Sequence, residues 1–118
     1  PEPNKSEIMN IIGDIKGKNC IILDDLIDTA GTICNAAKAL DDLGAKSVYA
    51  CATHAVLSGP AIERIEASPI REMVLLNTIP IPEEKQLKKF TVLSVGHIFA
   101  ETISRVYSNK PISVMFGN

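Results

Sequence analysis

An apolar run that stops abruptly at two carboxylates constrains this chain more than any other feature. Asn19-Cys20-Ile21-Ile22-Leu23 has the length and character of a buried parallel strand, and it ends at Asp24-Asp25. A polar turn over 24–32 follows. Then Ile33, Ala36, Ala37, Leu40 and Leu43 recur at helical spacing, and Gly44 closes the segment as a C′ residue. The same strand–turn–helix grammar repeats downstream. Residues 47–52 read as a second strand, Ser58-Gly59-Pro60 punctuates the chain, and Ala61, Ile62 and Ile65 mark a short helix. A third strand is expected over 72–77 and a fourth over 91–94. Between them, Pro80 and Pro82 bar Ile79-Pro80-Ile81-Pro82 from a central strand, and 83–86 adds a helical turn. Ile98, Phe99, Thr102, Ile103 and Val106 stripe a final helix and are expected in the core; the tail 112–116 alternates like an edge strand. Strands alternating with helices specify an α/β fold: a parallel sheet with helices on both faces. Ligands of such sheets sit beyond the carboxyl ends of the strands, so the loops starting at Asp24, Thr53 and Asn77 are where chemistry is expected.

Composition narrows the classes. A length of 118 residues suits a single domain, 1–118, and 46% hydrophobic against 22% charged residues suffices for one core. The net charge of −2 comes without basic clusters, which argues against nucleic acid as a partner. No apolar run is long enough for a membrane helix or a signal peptide, so a soluble, cytoplasmic protein is expected. Cys20, Cys34 and Cys51 form no Cys-x-x-Cys and read as reduced, buried thiols. His54 and His97 lack nearby ligand-type partners, so no metal site is expected. The chain opens Pro1-Glu2-Pro3 without an initiator methionine and is expected to be cut from a longer one.

The turn after the first strand carries the chemistry. Paired carboxylates at the end of a buried strand cannot be cheaply desolvated without partners. Downstream, Asp28-Thr29-Ala30-Gly31-Thr32 opens directly onto a helix. Unpaired N–H groups, two threonine hydroxyls and a glycine that lets the backbone approach closely make a pocket for a phosphate. Without the Gly-Lys-[Ser/Thr] ending of a nucleotide P-loop, a monophosphate fits better than a polyphosphate. Asp24 and Asp25 upstream would accept hydrogen bonds from vicinal hydroxyls, so the whole suits a sugar phosphate. The bland reading is that Asp28 and Thr29 merely cap the helix; capping is expected to contribute, but it leaves the paired carboxylates and Thr32 unaccounted for. A receiver-domain phosphoacceptor site would need a further Asp after a later strand, where Thr53-His54 stands instead.

The segment 24–32 closely resembles the phosphoribosyl-pyrophosphate motif of type I phosphoribosyltransferase folds. Its surroundings are similar to the bacterial ribose-phosphate pyrophosphokinase family: residues 10–18, Val48-Tyr49-Ala50-Cys51-Ala52-Thr53-His54, Leu57-Ser58-Gly59-Pro60-Ala61, Asn77-Thr78-Ile79-Pro80 and the tail 112–116. The resemblance covers essentially the whole chain. It implies transfer of a pyrophosphoryl group from ATP to the anomeric hydroxyl of ribose 5-phosphate, with magnesium required, in a cytoplasmic homo-oligomer, a hexamer in the parent enzyme. Asp24 would bind the ribose hydroxyls, and Asp28, Thr29, Ala30, Gly31 and Thr32 the 5-phosphate; Asp25 would assist with the sugar or a magnesium ion. This chain would be the C-terminal domain. The family's Lys–Arg loop, ATP contacts and metal-binding residues lie upstream and have no counterpart here, and no cation is expected near the motif. No catalytic residue is therefore assigned, and the isolated segment is expected to be inactive. Ser113 and Phe116 resemble the family's allosteric or subunit-contact tail, although Pro111 departs from its pattern. His54 and Ser58 are expected to be structural or at a subunit contact. The alternatives are a non-catalytic regulatory homologue and a free-standing phosphoribosyltransferase.

Overall fold

The computed structural model describes residues 11–117; Pro1, Glu2, Pro3 and Asn10, on which parts of the sequence reading fall, lie outside them. Four strands form one sheet: β1 (Asn19–Ile27), β2 (Ser47–Ala55), β3 (Ile70–Leu76) and β4 (Phe90–Leu93). All neighbours are parallel and their order follows the chain, β1-β2-β3-β4. Helices α1 (Gly31–Asp42), α2 (Ala61–Ala67) and α3 (Gly96–Tyr107) make the connections, with 3-10 turns at Glu83–Lys85 and Ser113–Phe116. The parallel α/β reading holds, but the expected helices on both faces are not found: α1 and α2 share one face, as right-handed connections between sequentially ordered parallel strands require, and no helix packs on the other among the described residues.

Register explains which residues are buried. Ala50 pairs with Ile22 on one side and Met73 on the other, and Met73 pairs in turn with Phe90. That row lies on the face carrying Val48, Ala52 and Leu75, and α1 and α2 close over it with Ile33, Ala37, Ala61 and Ile65, all buried. Alanines where helix meets sheet permit close approach. The opposite face carries Leu23, Cys51, Val74 and Leu76 around an open hollow of about 300 Å³. Leu23 there is 79% exposed.

Chain ends of the elements follow local chemistry. Helix α1 stops in a Schellman motif: Gly44 N–H bonds to Asp41 O and Ala45 N–H to Leu40 O, both at 3.0 Å. Gly44 takes φ 91°, which a side chain would resist. Helix α2 is closed by a cation. Lys89 Nζ donates to Ile65 O at 2.9 Å, Glu66 O at 3.3 Å and Ser68 O at 3.4 Å, where both carbonyls and helix dipole favour positive charge.

Three further expectations are corrected. First, β1 runs on to Ile27 and β2 to Ala55, so Asp24, Asp25, Thr53 and His54 are strand residues. Parallel pairing of Asp24 with Ala52 and Leu26 with His54 holds the backbone extended past the carboxylates, whose side chains still reach water. Second, the tail is a 3-10 turn rather than an edge strand. Arg105 Nη1 donates to Pro111 O at 3.2 Å and Met115 Sδ lies 3.6 Å from Thr102 Oγ1, which folds the tail against α3. Third, the stripe on α3 is not core: Phe99 and Ile103 are 58% and 67% exposed, because α3 is held by the tail and packs under no sheet face among the described residues.

Candidate functional site

The turn between β1 and α1 is only Asp28, Thr29 and Ala30. Ala30 makes it possible by adopting the left-handed region, φ 64° and ψ 11°, with its methyl buried. A non-glycine residue in that region is held there by its surroundings rather than by its own preference. The first helical bond runs from Cys34 N–H to Ala30 O at 3.1 Å, so the amides of Gly31, Thr32 and Ile33 are the orphan donors of the helix start. They open, with Asp24, Thr29 and the edge of Leu26, on a hollow of about 180 Å³. Dipole, amides and hydroxyls there all favour an anion.

Capping does not account for this turn. Helix α1 has no side-chain cap, and its N-cap is Ala30. The Asp28 carboxylate is occupied elsewhere: it accepts the Ser58 hydroxyl, while Ser58 N–H donates to Asp28 O at 2.9 Å. Val56 and Leu57 N–H both reach Ile27 O at 3.0 Å, so the segment after β2 is laced to the turn.

Two findings differ from the sequence reading. A cation does stand beside the motif. Arg64, from α2, donates through Nη1 to Thr29 O at 3.1 Å. It lies 35 residues from Thr29 in the chain, and no local pattern reveals that α2 folds back to the turn. The Asp pair is also divided by strand alternation. Asp24 lines the 180 Å³ hollow, and its Oδ1 accepts Asp25 N–H at 2.8 Å; Asp25 is exposed and does not line the hollow.

A family model described as phosphoribosyl synthetase-associated domain matches residues 2–117. The chain belongs to that family. Among its relatives, a protein of Clostridium perfringens named ribose-phosphate pyrophosphokinase is 63% identical over 116 residues, which cover 98% of this chain and 36% of the relative. The namesake of Clostridium acetobutylicum is 61% identical with the same coverage. A solved structure, phosphoribosylpyrophosphate synthetase from Mycobacterium smegmatis, superposes with a TM-score of 0.81 at 48% identity, covering 83% of this chain and 33% of that one. The chain thus spans about a third of the length of these relatives.

In this family member, the other residues singled out in the sequence fall into separate groups. Thr78 Oγ1 lies 2.8 Å from Thr53 O and 2.8 Å from His54 Nδ1. These contacts tie the ends of β2 and β3 together. Asn77 extends the tie to β4 and α3: its Oδ1 accepts Val95 N–H at 2.8 Å. Ser113 and Phe116 lie on the 3-10 turn held by α3 and do not line the hollow at the head of α1.

Cys34 faces a groove of about 530 Å³ between α1 and α2, beside Arg64, Lys38 and Ser68. Burial pushes its thiol above the ordinary range, while hydrogen bonding with Ser68 and the charges of Lys89 and Arg64 pull it down by less. At about pH 8 it therefore holds less thiolate than a free cysteine. Iodoacetamide is expected to alkylate Cys34 more slowly than a cysteine peptide there, with the gap closing as pH rises; equal rates, read by mass spectrometry of the Cys34 peptide, would contradict the effect of burial.

Proposed function

We propose that this chain is the C-terminal, ribose-5-phosphate-binding part of a ribose-phosphate pyrophosphokinase, the enzyme that moves a pyrophosphoryl group from ATP to ribose 5-phosphate and releases AMP. The observation that carries this reading is one hollow shared by Asp24 and the orphan amides of α1. A phosphate monoester takes the amides of Gly31, Thr32 and Ile33 and the hydroxyls of Thr29 and Thr32. Asp24, on the strand leading into the turn, accepts hydrogen bonds from the sugar hydroxyls. Asp25 contributes charge from the neighbouring edge. Fixing both ends of the acceptor holds its anomeric hydroxyl for in-line attack on the β-phosphorus of ATP, which converts an encounter between free molecules into a positioned one.

The enzyme's magnesium finds no cage here. Among the described residues no group of three or more His, Cys, Asp and Glu could hold a metal, and alternation along β1 sets Asp24 and Asp25 on opposite faces. Magnesium seldom takes an all-protein cage: it uses one or two carboxylates with substrate phosphates, so Asp25 would offer one ligand and the others would lie mostly outside this chain. ATP contacts, cytoplasmic location and assembly into a homo-oligomer, a hexamer in the parent, belong to the same proposal and rest on likeness to the family; no helix among the described residues is long and apolar enough to cross a membrane. The tail with Ser113 and Phe116 is proposed as the subunit contact.

Calorimetric titration of ribose 5-phosphate tests the reading. Wild type is expected to bind; Asp24→Ala and Thr32→Ala are each expected to bind about tenfold more weakly, one charge-assisted hydrogen bond apiece. Wild type with ATP and magnesium is expected to release no AMP. Equal affinity in all three proteins removes the assignment.

A further inference from the structure

We propose that Arg64 and Ser58 are positioning residues that lock the turn over 28–31 into its anion-binding shape from outside the hollow. The inference rests on the sugar-phosphate reading of that hollow. Neither residue lines it, so neither is placed to touch a ligand bound there. Both instead hold the two peptide carbonyls that precede the strained residue. Ser58 N–H takes Asp28 O at 2.9 Å while its hydroxyl holds the Asp28 carboxylate. Arg64 Nη1 takes Thr29 O at 3.1 Å. With both carbonyls bound to these donors, the turn presents amides rather than carbonyl oxygens to an anion.

Three further points favour a positioning role over an incidental contact. Ala30 is left-handed without being glycine, so the conformation depends on restraints at its flanks. The two restraints come from a single short segment: Arg64 N–H bonds to Pro60 O at 3.0 Å and Ala61 N–H to Ser58 O at 3.2 Å, so Ser58, just before α2, and Arg64, within it, are tied together. Finally, the peptide whose carbonyl Arg64 holds is the one whose N–H belongs to Ala30. A charged donor on that oxygen polarises the amide on the other side of the same peptide. Guanidinium suits the task because it stays charged and its planar fork arrives pre-shaped. Support of a binding shell by a second layer of locked side chains is the general requirement for such sites.

Hydrogen exchange and ligand titration on this chain separate the outcomes. Arg64→Met is expected to speed amide exchange at Ser58 and Cys34, whose N–H groups bond to Asp28 O and Ala30 O of the turn, about tenfold and to weaken ribose 5-phosphate binding by a similar factor, with exchange at Ala50 and Met73 unchanged. Ser58→Ala removes no charge, so its salt dependence of binding is expected to stay as in wild type, whereas that of Arg64→Met is expected to weaken. Arg64→Lys restores part of both effects by offering one donor to Thr29 O, and Ser58→Ala loosens the same amides. Faster exchange confined to these amides supports the lock even where ribose 5-phosphate fails to bind wild type, a result that removes the sugar-phosphate reading alone. Unchanged exchange at them in both Arg64→Met and Ser58→Ala, or equal acceleration throughout the sheet, overturns the lock.

Discussion

Gly31→Val is expected to abolish ribose 5-phosphate binding, lowering affinity about a hundredfold. Gly31 stands where the turn becomes helix, and it borders both the 180 Å³ hollow and the groove behind it. A Cβ placed there comes to 3.4 Å from Arg64 Nη1 and 4.0 Å from Thr29 Oγ1. A single methyl would make ordinary contact. The two further methyls of valine reach toward the guanidinium that holds Thr29 O and over the orphan amides. Either contact removes two or more charge-assisted hydrogen bonds to a phosphate, each worth about 1.5–3 kcal/mol, and tenfold in affinity is about 1.4 kcal/mol. Gly31→Ala, by contrast, is expected to lose at most severalfold. Calorimetry on both variants checks the contrast; a valine variant that binds like wild type would show that the cradle lies elsewhere.

Met73→Ala is expected to produce the largest loss of stability from a single side chain. Met73 is fully buried on the interior strand β3, in register with Ala50 and Phe90. Its neighbour across β2 is already an alanine, so no large side chain on that row can move in to fill the space. Truncation of a buried methionine costs about 2–5 kcal/mol, against about 5–15 kcal/mol for a whole domain. A fall in Tm of about 15 °C is expected by calorimetry. A fall of only a few degrees would mean that β3 and its helical cover relax into the void.

Much of this molecule is legible from residue order. Apolar runs bounded by charge gave four strands, helical spacing gave α1 and α2, and Gly44 marked the end of α1 where the Schellman motif stands. The turn at residues 28–32 announces itself by residue types alone, because few combinations offer amides, hydroxyls and a close backbone approach together. What stayed hidden depends on contacts distant in the chain. Arg64 sits 35 residues from Thr29, and only the return of α2 to the head of α1 brings them together. Charge usually ends a strand, whereas here Asp24 and Leu26 keep ladder partners on β2 and carry β1 past the carboxylates. The α3 stripe misled for a related reason: periodicity identifies an apolar face, but what covers that face is not a local property.

Strand order has a last consequence for the cradle. Among the described residues β1 is the border of the sheet, with β2 on one side only. Asp24 is therefore carried on the outermost strand of the described sheet rather than at its centre. Any extended backbone laid along that strand would sit about 4.8 Å from β1 and take its alignment from the same ladder that sets Asp24.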